Sequence, residues 1–337
     1  MSEMEVEKSS FFYLSPSTKN VILNKSGQFI DTTSEGLLGV FDLYSGDCLK
    51  YFQIKVSTIY TKIIEFSAEE IIIFCDQKFI LFNFVSGRIV SELLTKTHVD
   101  DFLIIPLTEQ IVAICNARIN VWEIRSGNLK SSTKLVSRGS SLSLLTCGQI
   151  VLRMAFNDEL MLFNPETEEV KKVNIDGDVF SIEPLSNSQF AIARKQCIQV
   201  YNPKRSSIEF MMRGNNEPVF TMKYIEENNQ LAASFNNDSI KIWSLVSTKC
   251  IITIKSSKGK IHADQLLWNS PDQLISISKV LKQIMVWEVI GKSYKELSKL
   301  ECNLCYIEKL VILSNDKLAI LCVSQCYQQA FYYNQEI

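Results

Sequence analysis

The chain has 337 residues, 46% of them hydrophobic and 21% charged, which supplies a sizeable core and excludes a largely disordered polypeptide. A formal net charge of −2 provides no long-range positive field, so the sequence carries no strong nucleic-acid signal and leaves room only for local patches. Apolar runs such as Ile71-Ile72-Ile73-Phe74-Cys75 stop far short of the roughly 20 residues a membrane-spanning helix needs.

The acidic start, Met1-Ser2-Glu3-Met4-Glu5-Val6-Glu7, lacks the basic and apolar regions of a secretory signal. Residues 1–10 are expected to form a flexible tail, with residues 11–337 as a single domain. Ten cysteines in a chain of this size without a signal read as reduced thiols, and the expected compartment is cytoplasmic or nuclear. The sequons Asn24-Lys25-Ser26 and Asn237-Asp238-Ser239 are then chance matches.

From Val21 onward one pattern returns. A short alternating run ends on an aromatic residue followed by a polar one at Phe41-Asp42, Phe82-Asn83, Trp122-Glu123, Phe163-Asn164, Tyr201-Asn202, Trp243-Ser244, Trp287-Glu288 and Tyr333-Asn334, spacings of 38 to 46 residues. A period near 40 with one strand signature per copy predicts an all-β closed propeller of four-stranded blades. The second copy shows the unit: strands at 57–66, 71–75, 79–84 and 88–94, separated by polar turns. The third strand is almost continuously apolar, as expected of a sheet covered on both faces. Ser45-Gly46, Ser86-Gly87 and Ser126-Gly127 supply the turn to the fourth strand, where glycine permits positive φ.

Eight copies predict eight blades, seven being the alternative if one copy is irregular. The last copy stops just after its third strand. The apolar stretch Phe11-Phe12-Tyr13-Leu14 is therefore expected to close that blade as its fourth strand and protect both edges.

Val40-Phe41-Asp42-Leu43 with Ser45-Gly46, Val121-Trp122-Glu123-Ile124 with Ser126-Gly127, and Asp238-Ser239-Ile240-Lys241-Ile242-Trp243 resemble the WD-repeat family across roughly residues 11–337. Asp76 and Asp238 stand at that family's aspartate position before the third strand. The glycine–histidine pair of the family is missing, and the chain has only two histidines, His98 and His262. The resemblance implies a rigid platform that presents loops to protein partners and joins them in one assembly. Eight-bladed WD-repeat proteins include substrate receptors of ubiquitin ligases. Met1 to Ser10 is shorter than the helical adaptor-binding domain those carry, so a separate subunit would have to supply that link.

Chemistry is sparsely signalled. Cys302-x2-Cys305 and Cys322-x3-Cys326 have zinc-ligand spacing, but Cys322 ends a second strand as Cys75 and Cys115 do, which favours packing over a metal. Cys48 and Cys250, seven residues after the aromatic, are read as small core residues at positions where other copies carry Ile89, Leu129, Val170 or Ile208. His98 and His262 come without a nucleophile motif, and twelve glycines leave little material for a phosphate loop. The sequence thus predicts neither an enzyme nor a cofactor.

Blade geometry places the turns between second and third strands at the same end as the connections between blades. That end is expected to carry Lys78, Arg118, Arg194, Lys195, Lys279 and Lys282 from the turns, and Lys96, Arg138, Arg213, Lys258 and Lys260 from the connections. Of these, Lys78, Arg118, Arg138, Arg194, Lys195, Arg213, Lys258 and Lys279 are the candidate partner-binding residues, suited to an acidic or phosphorylated segment. Glu35, Asp76, Asp100, Asp101, Asp158, Asp176, Asp178, Glu217 and Asp238 fall at the same end and counter that charge. Finally, Phe210-Met211-Met212-Arg213-Gly214 resembles the phenylalanine–arginine–arginine–glycine motif in the fifth blade of phosphoinositide-binding propellers, which would imply membrane-headgroup binding; Arg213 alone stands where those carry two basic residues.

Overall fold

The computed structural model describes residues 11–13, 18–23, 28–33, 36–42, 45, 47–54, 62–75, 77–155, 159–175, 177–213, 217–235, 239–255, 261, 263–301, 306–312, 318–323 and 328–333. For 11–13, 18–23, 32–33 and all residues from 306 the description is of the backbone course alone.

These residues form eight four-stranded antiparallel sheets, numbered here in chain order: 18–53, 62–94, 99–134, 139–173, 181–213, 219–255, 265–301, and 306–333 with 11–13. In the first seven, consecutive strands lie side by side in sequence order. In the eighth, Phe11–Tyr13 pairs with Gln328–Tyr333, Phe11 opposite Phe331 and Tyr13 opposite Gln329, so the N-terminal strand completes the last sheet. The second sheet runs Lys62–Glu65, Glu70–Cys75, Lys78–Asn83 and Arg88–Leu94. The described part of its first strand is Lys62–Glu65, within the expected 57–66, and residues 57–61 lie outside the described ones.

The chain falls into two compact units. One comprises residues 1–97, 123–128 and 302–337, and the other 98–122 and 129–301. Within each, sheets pack face to face through apolar side chains. In the first unit Ile30, Leu38, Val40, Ile71, Ile73, Ile80 and Phe82 form one core; in the second, Val112, Ile119, Val121, Ile150, Leu152 and Phe163 form another. Burial on both faces explains why the third strands read as apolar runs: all four residues of Leu160–Phe163 are buried, as are the middle four of Lys78–Asn83 and Arg118–Glu123.

The recurring aromatic–polar pair has two separable jobs. Phe82, Trp122, Phe163, Tyr201, Trp243 and Trp287 are all core residues. The polar residue that follows holds the turn to the fourth strand by accepting its amides. Asn83 Oδ1 takes Val85 N at 3.1 Å and Ser86 N at 2.7 Å, Asn164 Oδ1 takes Glu166 N at 2.9 Å, Asn202 Oδ1 takes Lys204 N at 2.9 Å, and Asp42 Oδ1 takes Ser45 N at 2.8 Å. Short side chains of this type compete well for local backbone donors. Five residues after the aromatic the backbone turns left-handed: Gly87 has φ 72° and Gly127 φ 73°.

Fourth strands form outer edges, and here one expectation is corrected. Cys48 and Cys250 are exposed, as are Ile89, Leu129 and Ile208 at the same position. An edge strand has a neighbouring strand on one side only, which leaves this position open to solvent in these five sheets; in the fourth, Val170 is half-buried and packs against the core. Cys75 and Cys115, on central strands, are buried as expected. All six cysteines whose side chains are described are free thiols.

Candidate interaction face

Turn and connection meet at one end of each sheet because fourth-strand ends lie beside third-strand beginnings. Thr95 N donates to Gln77 O at 2.8 Å, Leu135 N to Ala117 O at 2.8 Å, and Ala155 N to Arg138 O at 2.9 Å. Each bond links a connection to a turn between second and third strands, as the blade argument expects.

Several of the candidate basic residues are engaged within the protein. Lys78 lies 3.4 Å from Glu92 Oε1. Arg118 donates from Nε to Ser132 Oγ and from Nη2 to Ser132 O, both at 2.8 Å, and so lies along its own sheet. Arg138 donates from Nε to Asp100 Oδ1 at 2.9 Å and makes a second, closer contact through Nη2. His98 Nε2 approaches the same oxygen at 3.7 Å. The Asp100 hydrogen bond, and then its charge, holds the Arg138 guanidinium above the usual arginine range.

Arg194 is not on the surface. It is only 5% exposed, donating from Nη1 to the carbonyls of Gly177 and Asp178, the latter at 3.0 Å, and from Nε to Gln199 Oε1 at 3.2 Å. Its planar fork ties a turn to the connection that enters its sheet. That burial removes it from any set of solvent-facing contacts.

Lys195, Arg213 and Lys279 remain. Each is exposed, and their side chains have no hydrogen-bond or ion-pair partner among the described residues. Arg213 ends the fourth strand of the fifth sheet, paired with Cys197. Burial pushes the Cys197 thiol up, and the charges of Arg194 and Arg213 pull partly against it. Lys258 and Lys260 lie outside the described residues, as do Glu35, Asp76, Asp158, Asp176 and Asp238. Of the expected acids, Asp101 is turned inward, accepting Leu142 N from the next sheet at 2.8 Å.

Sequence reasoning missed a row at the same end. In the third, fourth and sixth sheets the innermost strand is bulged at Asp100, Ser140 and Phe220. In the fifth, Phe180 N and its neighbour Ser181 both lie opposite Ala193, which makes Phe180 the bulged residue. These four stand 40 residues apart, each after a buried Val99, Gly139, Val179 or Val219. That period could have been found in the sequence by aligning first strands rather than third strands.

Among the described residues no group of three or more His, Cys, Asp and Glu side chains is placed to hold a metal ion. The candidate zinc cysteines lie outside the residues whose side chains are described, and so does His262. No helix among the described residues is long and apolar enough to cross a membrane.

No protein-family model matches the chain, and no curated protein matches it either. Solved structures do. The C-terminal WD40 domain of Sif2 superposes with a TM-score of 0.71 at 8% identity, covering 96% of this chain and 99% of that one. The fold is that of a WD40 propeller. The computationally designed Ika8 protein gives a TM-score of 0.73 at 13% identity over 94% of this chain and 96% of its own. A chain of the mitotic checkpoint complex gives 0.60 at 12% identity over 78% and 83%. Identities this low speak for the propeller's backbone and not for its surface.

Proposed function

We propose that this propeller is a non-catalytic platform for protein–protein interaction, a single domain over residues 11–337. It binds partners through the end that carries Lys195, Arg213 and Lys279, and works in the cytoplasm or nucleus. The observation that supports this reading most directly is the division among the basic residues. Lys78 and Arg118 are engaged with the fourth strands of their own sheets, Arg138 with Asp100 and Arg194 with a connection, while those three keep exposed side chains without a partner among the described residues. Short turns fixed by sheets lose little conformational entropy when a partner docks on them. The similar chain in the mitotic checkpoint complex is itself part of a multiprotein assembly.

The lipid reading finds less support. Met212, beside Arg213, is buried, so that strand offers one cation where a phosphoinositide headgroup would need more.

Affinity purification from native lysate with quantitative mass spectrometry tests the proposal, run beside a Lys195→Glu, Arg213→Glu, Lys279→Glu triple variant. Stoichiometric partners that disappear in the variant are expected. A partner-free protein in both samples, or partners retained unchanged by a folded variant, would count against it.

A further inference from the structure

The row of bulged residues changes character along its length. Asp100 is occupied by Arg138, and Ser140 donates through its hydroxyl to Arg153 O at 3.1 Å. Between the ends of the row stand two phenylalanines, Phe180 at 39% exposure and Phe220 at 40%. Beyond them Asp264 N reaches Ile277 O at 2.8 Å as the equivalent residue of the seventh sheet, and its Oδ2 accepts Lys279 N at 2.6 Å. The polar members of the row are hydrogen-bonded within the protein, and at its centre two aromatic rings are partly exposed.

Phe180 and Phe220 occupy matching positions on adjacent inner strands. Glu183 Oε1 accepts Tyr224 N at 3.0 Å, which fixes the relative height of these strands and sets the two bulges side by side. The same end of the fifth sheet carries Lys195 in its second-to-third turn and Arg213 at the end of its fourth strand, so the order across the sheet is aromatic, cation, cation. A phenylalanine at the centre of a binding face loses little side-chain entropy on docking and gains apolar burial.

We propose that Phe180 and Phe220, with Lys195 and Arg213, form a docking surface for an extended acidic peptide segment. The segment would place an aromatic or large aliphatic side chain over the phenylalanine pair, with carboxylates directed outward to Lys195 and Arg213. Charge selects this occupant over single-stranded nucleic acid. Asp178 and Glu217 flank the phenylalanines in the connections that precede them, and a continuous phosphate backbone would run against both. A few placed carboxylates on a peptide can meet the two cations and avoid the two acids.

This surface rests on the protein-binding reading and specifies its partner. The test is selection of a random peptide library against the full-length protein, followed by fluorescence anisotropy with the enriched peptides. Enrichment of Asp and Glu next to Phe, Trp, Leu or Met is expected. Phe180→Ala and Phe220→Ala should each weaken the selected peptides by about tenfold or more, in the range of a centrally placed anchor. Lys195→Glu with Arg213→Glu should weaken them further at low salt than at high salt. Unchanged thermal melting of each variant confirms that the fold is intact. A library without enrichment, peptides indifferent to both phenylalanines, or tighter binding of a labelled oligouridine than of any peptide would overturn the proposal. If the peptides depend on the cations but not on the phenylalanines, this surface is wrong while the broader protein-binding reading stands.

Discussion

Asp100 lies on the first strand of the third sheet and Arg138 in the connection that leads to the fourth, and the Arg138 Nε donates to Asp100 Oδ1 at 2.9 Å. The Asp100 side chain is only 6% exposed. A carboxylate so placed depends on its cation, because water cannot replace the lost hydrogen bonds. Arg138→Glu is expected to lower the thermal midpoint clearly, and Lys195→Glu to leave it essentially unchanged. Equal melting of the two variants would show that Arg138 is no more structural than a surface lysine.

Gly127 and Gly148 both have left-handed backbones, at φ 73° and φ 82°. A Cβ on Gly127 would lie 2.7 Å from Glu92 O, whereas one on Gly148 meets nothing within 4 Å. Gly148→Ala should therefore lose only the conformational cost of about 1 kcal/mol. Gly127→Ala adds a clash with a backbone atom and should lose about 2–4 kcal/mol. Urea unfolding of the two variants checks the order, and a smaller loss at Gly127 would contradict the geometry.

Where the equivalent turn lacks glycine, the chain accepts strain. Glu168, Ser206 and Thr248 occupy the same position five residues after the aromatic, with φ of 60°, 51° and 57°. Thr248 is β-branched and the least suited of the three. Thr248→Gly is expected to stabilise the protein by about 0.5–1 kcal/mol, the relief of strain exceeding the added chain entropy. A drop in stability would mean that the Thr248 side chain contributes more than its backbone costs.

Cys197 should react slowly with iodoacetamide near neutral pH. Burial favours the neutral thiol, so the thiolate appears only as pH rises past the ordinary thiol range. Arg213 stabilises the thiolate, so Arg213→Gln removes that help and should shift the alkylation profile to still higher pH. Peptide-level mass spectrometry across a pH series reads both effects. An unchanged profile in the variant would show that the Arg213 charge does not reach the sulfur.

The third strands were the legible part of the fold because burial on both faces forces runs such as Leu160–Phe163 to be apolar, and the capping need of the next turn forces a polar residue after the aromatic. First strands were poorly legible. They are bulged and half-buried, so their pattern breaks at residues such as Asp100 and Phe180. The described basic residues lie in or beside the turns and connections where the sequence placed them, but their sequence neighbours gave no indication of how each is used. Arg194 and Lys195 are adjacent, yet one is buried against two carbonyls and the other is exposed.

The sequence by itself determined the repeat, the strand order within each sheet and the end of the sheet where turns and connections gather, since each follows from local periodicity and turn chemistry. Tertiary structure alone decided which charges are free. A salt bridge such as Arg138–Asp100 joins a connection to a strand 38 positions away, and the row from Asp100 to Phe220 exists only once inner strands are set side by side. Those contacts depend on the stacking of sheets, a long-range packing outcome that no short stretch of residues encodes.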